Sequence, residues 1–414
     1  MMLLRCGLLG ERLSHSYSPQ IHAALCGYQY ELYEVPEEKV GEFLRNGSFD
    51  GLNVTIPYKQ TVIPYLDELS DTAEKIGSVN TIVRRKDGTL FGDNTDIYGL
   101  KYLLKKHEIP VENTKVLVLG SGGTSRTACF ALEELGAKEV IVISRNGENN
   151  YNNIEKHSDA TVLVNTTPVG MYPNNGCAAV DIGKLKALKG VVDVIYNPAK
   201  TQLLLQAERF GIRHAGGLAM LVAQAKRSAE LFTGEAISES RIDEITAKLS
   251  SEMKNIILIG MPGSGKSSLG KLVSKATGRP FIDVDEAISL KAQKSIPQIF
   301  SEEGELGFRK RETEALKEVC KLSGKVIATG GGCVTREENY PVLHQNGTIV
   351  YIKRPLDRLP SKGRPLSQNT TMEKMYMERQ PMYEGFCDFS VENNERIEDA
   401  LEAILKKYDE DTCN

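Results

Sequence analysis

The chain is short of several things, and each shortage removes a class of function. No run of about 20 apolar residues occurs, the length that a membrane-spanning helix needs, so no spanning segment is expected. The opening Met1-Met-Leu-Leu-Arg5-Cys6-Gly-Leu-Leu-Gly10 is too brief an apolar run for a signal peptide, with no small-residue cleavage site behind it. Positive charge is not in excess. With 51 Lys+Arg against 55 Asp+Glu the net charge is -4, which argues against a nucleic-acid or anionic-membrane partner. The eight cysteines are scattered, with no Cys-x-x-Cys and no Cys/His cluster. That is the pattern of reduced cytosolic thiols rather than of a disulfide frame or a zinc site. Internal repeats and low-complexity tracts are also missing, which argues against a solenoid or a long disordered linker.

What remains is an ordinary globular composition, 41% hydrophobic and 26% charged over 414 residues, enough for two or three domains. Short apolar runs alternate with helical patterns throughout, which predicts an α/β protein. A first unit has strands at 3–9, 32–35 and 51–54 and a helix from Pro19. A second has a helix at 97–107 and strands at 115–119, 139–143, 161–164 and 190–194. Helical patterns at 218–232 and 238–250 are expected to return to the first unit, and Ser251 to Lys254 reads as a short linker before a strand from Asn255. The predicted domains are therefore 1–100 with 218–250, then 101–217, then 254–414.

Two glycine loops follow apolar strands. The run Val116-Leu-Val-Leu119 leads into Gly120-Ser121-Gly122-Gly123-Thr124 and a helix. Glycines there let backbone N–H groups approach a pyrophosphate, and the helix N-terminus attracts its charge. The next strand, Val140 to Ile143, ends in Ser144-Arg145-Asn146 with no Asp or Glu to accept from a ribose 2′-hydroxyl. An arginine at that point suits a 2′-phosphate, so NADP is expected over NAD. Further on, Ile256 to Ile259 leads into Gly260-x4-Gly265-Lys266-Ser267, a full Walker A pattern. Its Gly263, Ser264, Gly265 and Ser268 are expected around the phosphates of ATP, with Lys266 at the transferring group and Ser267 on Mg²⁺. Downstream, Asp283 and Asp285 stand two apart at a predicted strand end and are expected to have different roles.

The surrounding residues carry a resemblance. Ser14-His15-Ser16-Tyr-Ser18-Pro19, Asn53-Val-Thr55-Ile-Pro57-Tyr-Lys59, Ser78-Val-Asn80-Thr81, Asp93-Asn94-Thr95-Asp96, Asn165-Thr-Thr-Pro168, Asp193-Val194-Ile-Tyr196 and Gly216-Gly217-Leu-Ala-Met220-Leu-Val-Ala-Gln224 occur in this order. Together they closely resemble shikimate dehydrogenase over about residues 3–250. The resemblance implies an α/β substrate domain with a Rossmann-like NADP domain. It also implies Lys59 and Asp96 as the catalytic pair, Ser16, Ser18 and Tyr196 around the substrate carboxylate, and Thr55, Asn80 and Gln224 around ring hydroxyls. Val194, Gly217 and Met220 would line the nicotinamide side. His15 and His22 are read as structural. The chain departs from the family pattern at Glu11-Arg12, at Ile97, and in a shortened stretch after Arg145 that lacks a second arginine.

Behind the Walker loop, Phe281-Ile-Asp283-Val-Asp285, Gly304-Glu-Leu-Gly-Phe308-Arg309-Lys-Arg-Glu312, Thr329-Gly330-Gly331-Gly332, Arg364-Pro365-Leu366 and Arg379-Gln-Pro-Met-Tyr383 resemble shikimate kinase over about residues 254–406. The implied fold is a P-loop domain of the nucleoside-monophosphate-kinase type. Asp285 is implied as the residue orienting the acceptor hydroxyl, and Asp283 as acting toward Mg²⁺. Arg309, Arg379 and Gly331 would hold the substrate, and Arg364 would reach over ATP. The lid before Arg364 is shortened, and Arg358 or Lys362 would stand in for its upstream arginine. The two resemblances meet at one metabolite. They imply NADPH-dependent reduction of 3-dehydroshikimate followed by ATP-dependent phosphorylation of shikimate, in a cytoplasmic monomer or homodimer with small-molecule partners only. Alternatives at this point are a quinate-type dehydrogenase using NAD, a P-loop kinase for another small acceptor, and a half retained only for regulation.

Overall fold

The apolar runs fold as three sheets, seen in a computed structural model that describes residues 3–13, 16–359 and 372–413, the last five by backbone alone. The first sheet is mixed. Its strands are β1 (Arg5–Gly10), β2 (Gln29–Glu34), β3 (Gly51–Val54), β4 (Glu68–Leu69), β5 (Thr81–Arg84) and β6 (Leu90–Asp93), in the order β2-β1-β3-β5-β6-β4. Strands β2, β1 and β3 run parallel, and β5 turns back antiparallel between β3 and β6. The register sets Asn53 opposite Thr81 and Thr81 opposite Asp93. The carboxyl ends of β3 and β6 and the amino end of β5 therefore share one edge. That edge is where Thr55, Asn80 and Asp96 emerge.

The second sheet is wholly parallel: β7 (Lys115–Leu119), β8 (Glu139–Ile143), β9 (Val162–Asn165), β10 (Gly190–Asp193) and β11 (Arg213–Gly216), in the order β11-β10-β9-β7-β8. Apolar clusters cover both faces, as a buried parallel sheet requires. One contains Leu100, Leu103, Val116, Val118 and Ala131; the other contains Leu117, Leu119, Leu163, Val191 and Leu204.

The third sheet is also parallel: β12 (Asn255–Ile259), β13 (Phe281–Asp283), β14 (Val326–Ala328), β15 (Gly347–Lys353) and β16 (Phe389–Glu392), in the order β13-β14-β12-β15-β16. Strand β12 is central and fully buried. The loops after β12, β13 and β14 open along the same carboxyl edge, the usual place for a ligand in an open α/β sheet.

The chain divides into two compact units, one of Met1–Gly170, Cys177–Tyr196 and Leu203–Thr246, the other of Met171–Gly176, Asn197–Gln202 and Ala247–Asn414. Helix Ser240–Met253 runs through residues 251–253, where a linker was expected. Ser251-Glu252-Met253 contains no breaker, and Met253 is buried, so packing extends the helix to the last residue before Lys254. A second difference lies at the carboxylate pair. Strand β13 stops at Asp283, which caps helix Val284–Ala292, so Asp285 sits in a first helical turn rather than on a strand. Among the described residues no helix is long and apolar enough to cross a membrane.

Candidate functional site

In the first unit, the predicted residues converge on two adjoining cavities, with Asn146 the exception. The smaller, about 250 Å³, is lined by Ser16, Ser18, Thr55, Lys59, Asn80, Asp96, Tyr196 and Gln224, with Val194, Gly217 and Met220 beside them. Lys59 Nζ donates to Asp96 Oδ2 at 2.6 Å, with both side chains largely shielded from solvent. Helix Asp96–Lys106 places Asp96 in its first turn, where the helix dipole favours a negative charge. Burial pushes the Tyr196 phenol above its ordinary value, so it presents a neutral hydroxyl. The ring of Tyr17 packs edge-on against it, with centroids 6.0 Å apart.

The larger cavity, about 900 Å³, is lined by Gly120, Ser121, Gly122, Gly123, Thr124 and Arg145. Gly120 has φ 106°, a left-handed conformation that only glycine adopts without strain, and it turns the strand into the helix. Helix Gly123–Glu134 begins at the loop with no acidic residue in its first turn. Arg145 is exposed and lines the cavity beside Ser144 and Tyr151. A phosphate-rich dinucleotide fits this set: loop backbone donors, a helix N-terminus and a guanidinium at the far end. Asn146 is not among the lining residues, because the chain turns away there and Ser144 N donates to Asn149 O at 3.1 Å. Arg126, Tyr151 and Thr166 to Val169 also line the cavity and had no predicted role. The Thr166–Val169 motif was visible in the sequence. Tyr151 had no local signal.

In the second unit one cavity of about 600 Å³ gathers Gly263, Gly265, Lys266, Ser267, Ser268, Asp283, Asp285, Arg309, Gly331 and Arg379. Lys266 is buried and donates to the carbonyls of Gly260 at 2.9 Å and Met261 at 3.0 Å. Ser267 Oγ donates to Asp283 Oδ2 at 2.6 Å, while Asp283 Oδ1 accepts from the backbone of Asp285 at 3.0 Å. Ser264 does not line the cavity; it is fully buried, and its Oγ has no partner. This donor set fits a triphosphate with a hard cation: the loop carries an ammonium held by carbonyls, and a hydroxyl and a carboxylate already sit side by side.

The acceptor side is built from close approaches. A Cβ at Gly332 would lie 2.1 Å from the Arg309 guanidinium, and one at Gly330 would lie 2.3 Å from Glu312 Oε1 and 3.0 Å from Asp285 Oδ1. A Cβ at Gly331 would meet the Pro262 ring and its backbone nitrogen, so that glycine is required by contact, while Gly330 and Gly332 lie against the movable ends of Glu312 and Arg309. Arg309 Nη1 donates to Glu312 Oε2 at 2.7 Å and Nη2 to Glu305 Oε1 at 3.3 Å. Burial works against the Arg309 charge, but Glu312 and Glu305 outweigh it and hold the guanidinium above its ordinary value. Burial in turn pushes the Glu312 carboxyl up against the pull of Arg309. Arg379 Nη1 donates to Gly331 O at 3.1 Å, and Tyr383 donates its hydroxyl to the same carbonyl. Sequence reasoning gave no role to Glu312, to Arg354, which donates to Gly263 O at 3.2 Å, or to the apolar wall of Ile296, Phe300 and Phe308. Arg364, Lys362 and His15 lie outside the described residues. Arg358 donates to Asn394 O and is not among the residues lining the cavity.

Comparison with known proteins agrees with both halves. The family model "Shikimate dehydrogenase substrate binding domain" matches residues 8–82, and "Shikimate kinase" matches residues 262–409. The NADP⁺ shikimate dehydrogenase of Clostridium perfringens strain 13 is 37% identical over 264 residues, covering 59% of this chain and 97% of that protein. A solved chorismate mutase/shikimate 5-dehydrogenase fusion from Clostridium acetobutylicum has 36% identity and a TM-score of 0.56, covering 60% of this chain and 98% of the other. Shikimate 5-dehydrogenase from Thermus thermophilus, solved in complex with NADP(H) and shikimate, has 32% identity and a TM-score of 0.55, covering 59% and 99%.

Proposed function

The chain belongs to the shikimate dehydrogenase family and carries a shikimate kinase domain behind it, and from that premise we propose that its two sites act in series on one cyclohexene carboxylate. It is a bifunctional enzyme of the shikimate pathway, an NADP-dependent oxidoreductase joined to a kinase. When bound, NADPH supplies a hydride to the 3-keto carbon of 3-dehydroshikimate, and ATP with Mg²⁺ supplies the phosphoryl group for the resulting hydroxyl.

The observation that carries the reading is the gathering of Ser16, Ser18, Thr55, Lys59, Asn80, Asp96, Tyr196 and Gln224 around one small cavity from segments far apart in the chain. A carbonyl oxygen that accepts a hydride at its carbon needs a proton, and the Lys59 ammonium is the donor at hand. Asp96 holds that ammonium in place and balances its charge. Ser16, Ser18 and Tyr196 offer hydroxyls to the substrate carboxylate, while Thr55, Asn80 and Gln224 face its ring hydroxyls. A site built this way rejects analogues that leave its polar groups unpaired. Val194, Gly217 and Met220 flank the reacting face. Gly120, Ser121, Gly122, Gly123 and Thr124 would hold the pyrophosphate, and Arg145 the 2′-phosphate.

In the kinase, Asp285 orients the acceptor hydroxyl and takes its proton, and Lys266 neutralises charge on the transferring group. Arg309, Arg379 and the Gly331 backbone hold the substrate carboxylate; forked donors suit it. Gly263, Gly265, Lys266, Ser267 and Ser268 would cradle ATP, and Ser267 and Asp283 would hold Mg²⁺. Two assays on the purified chain test the reading. NADPH oxidation should depend on 3-dehydroshikimate, and ADP release should depend on shikimate and Mg²⁺. NADPH oxidation indifferent to the keto acid, or ADP release unchanged by shikimate, would sink it.

A further inference from the structure

Behind the dehydrogenase cavity lies a closed set of hydroxyls that no catalytic role uses. Ser228 belongs to helix Leu218–Thr233, one turn past Gln224, and is fully buried. Its Oγ is 2.8 Å from Asn53 Nδ2, 2.8 Å from Thr81 Oγ1, 2.9 Å from Thr95 Oγ1 and 3.0 Å from the Gln224 carbonyl. These partners come from β3, β5, the turn before helix Asp96–Lys106, and the serine's own helix. Four segments that carry or adjoin a cavity residue (Asn53, Asn80, Asp96 and Gln224) meet at one oxygen.

Counting protons shows what the meeting point does. A hydroxyl has one proton and two lone pairs. The Gln224 carbonyl can only accept, so it takes the Ser228 proton. The Ser228 oxygen must then accept, which obliges Asn53 to present its Nδ2 and leaves Asn53 Oδ1 to accept from Tyr30 O–H at 2.8 Å. One threonine donates into the remaining Ser228 lone pair. The two threonine hydroxyls are 3.1 Å apart, and both reach Asn80 Oδ1, at 3.1 Å from Thr81 Oγ1 and 3.2 Å from Thr95 Oγ1. Asn80 Oδ1 also accepts from the Thr95 backbone at 2.7 Å, which identifies that atom as the oxygen. The Asn80 amide is therefore locked with Nδ2 toward the cavity, 3.5 Å from Gln224 Oε1. Gln224 Nε2 is committed to Leu221 O at 2.9 Å, so Gln224 faces Asn80 with its acceptor.

We propose that Ser228 is a positioning residue for the dehydrogenase: by anchoring Thr81 and Thr95, whose groups meet Asn80 Oδ1, it holds the Asn80 amide as a donor toward the cavity, and so makes the cavity selective for a particular ring-hydroxyl pattern. This rests on the substrate reading given above. Because Ser228 acts through Thr81 and Thr95 on Asn80, which holds a non-reacting part of the substrate, its loss should weaken binding of the ground and transition states alike. The variant Ser228→Ala should raise the KM for shikimate about five- to tenfold, with kcat changed by less than about twofold. The Kd for NADP⁺, measured by isothermal titration, should not move, since the dinucleotide loop lies on another sheet.

The decisive comparison uses 4-deoxy- and 5-deoxyshikimate. For at least one of them wild type and Ser228→Ala should share a KM, because the hydroxyl that Asn80 reads is already gone. A KM raised equally for all three substrates, or for none, overturns the proposal. Should Ser228→Ala fail to bind NADP⁺, Thr95→Val carries the same expectation and the same contradiction, and Ser228→Thr, which keeps the hydroxyl, should retain the wild-type preference. Failure of wild type to turn over shikimate would instead sink the substrate reading and is scored separately.

Discussion

The two sites of this chain are prepared in opposite ways. In the dehydrogenase cavity the chain's own contacts aim polar groups at the ligand: Lys59 is held by Asp96, and Asn80 is locked by Thr95 and its neighbours. In the kinase the site's polar and charged groups are turned on loop carbonyls and on neighbouring side chains. Lys266 donates to loop carbonyls, Arg309 pairs with Glu312, Arg379 donates to Gly331 O, and Ser267 donates to Asp283. The difference follows from the ligands. A polyol acid carries a single charge and many hydroxyls, so orientation decides recognition. A triphosphate and a carboxylate bring enough charge to displace internal partners, and those partners spare the buried cations an unpaired state until then.

The contrast can be broken most severely at the two lysines. Lys59→Ala should lower dehydrogenase kcat by about 10²–10⁴-fold and leave shikimate-dependent ADP release unchanged. Lys266→Ala should do the reverse, lowering kinase kcat by about 10²–10³-fold. Loss of both activities from either change would contradict the separate assignment. Next in size, Arg379→Lys keeps the charge but loses the fork, so the KM of the kinase for shikimate should rise about tenfold; an unchanged KM would remove Arg379 from the substrate site. Arg145→Gln should cut the ratio of kcat/KM for NADP⁺ over NAD⁺ about tenfold, with little effect on the NAD⁺ value itself.

The remaining prediction, on stability rather than turnover, sharpens the contrast through pH. His22 is buried, stacked on Tyr30 at 4.0 Å, and hydrogen-bonded through Nδ1 to the Tyr28 hydroxyl at 2.5 Å. Burial lowers its pKa from 6.5 to about 3. Between those values the unfolded chain binds a proton that the folded chain refuses. Stability contributed by the neutral ring is complete above about pH 6.5 and is lost as pH falls toward 3, with a slope of about 1.4 kcal/mol per pH unit. His22→Phe keeps the stacking and removes the titration. Urea unfolding followed through loss of dehydrogenase activity should show a flatter acid limb, while the kinase midpoint keeps its own pH dependence.

Legibility in the sequence divides along the same line as local and non-local structure. Strands β7 and β12 are continuous apolar runs ending in glycine loops, so element and loop could both be read from neighbours. The Walker loop and the Lys59 and Asp96 motifs were equally local. Asp285 was assigned to a strand because the apolar run was extended past Asp283 without weighing its capping capacity, which starts a helix there. The expected linker failed because Met253 finds a buried place that composition alone does not reveal. Ser228 was invisible for a different reason. Its partners Asn53, Thr81 and Thr95 stand 175, 147 and 133 residues away, and nothing in Ala225-Lys226-Arg227-Ser228 marks the serine as more than a helix residue.

The central claim is that one molecule is served by both sites of one chain. Incubating the purified chain with 3-dehydroshikimate, ATP, Mg²⁺ and NADPH deuterated at the nicotinamide C4 position of the transferred hydride, then weighing the products by mass spectrometry, tests it directly. The account predicts a single end product that carries both the deuterium and the phosphate. Deuterated shikimate that accumulates without phosphate while ATP is present would contradict it.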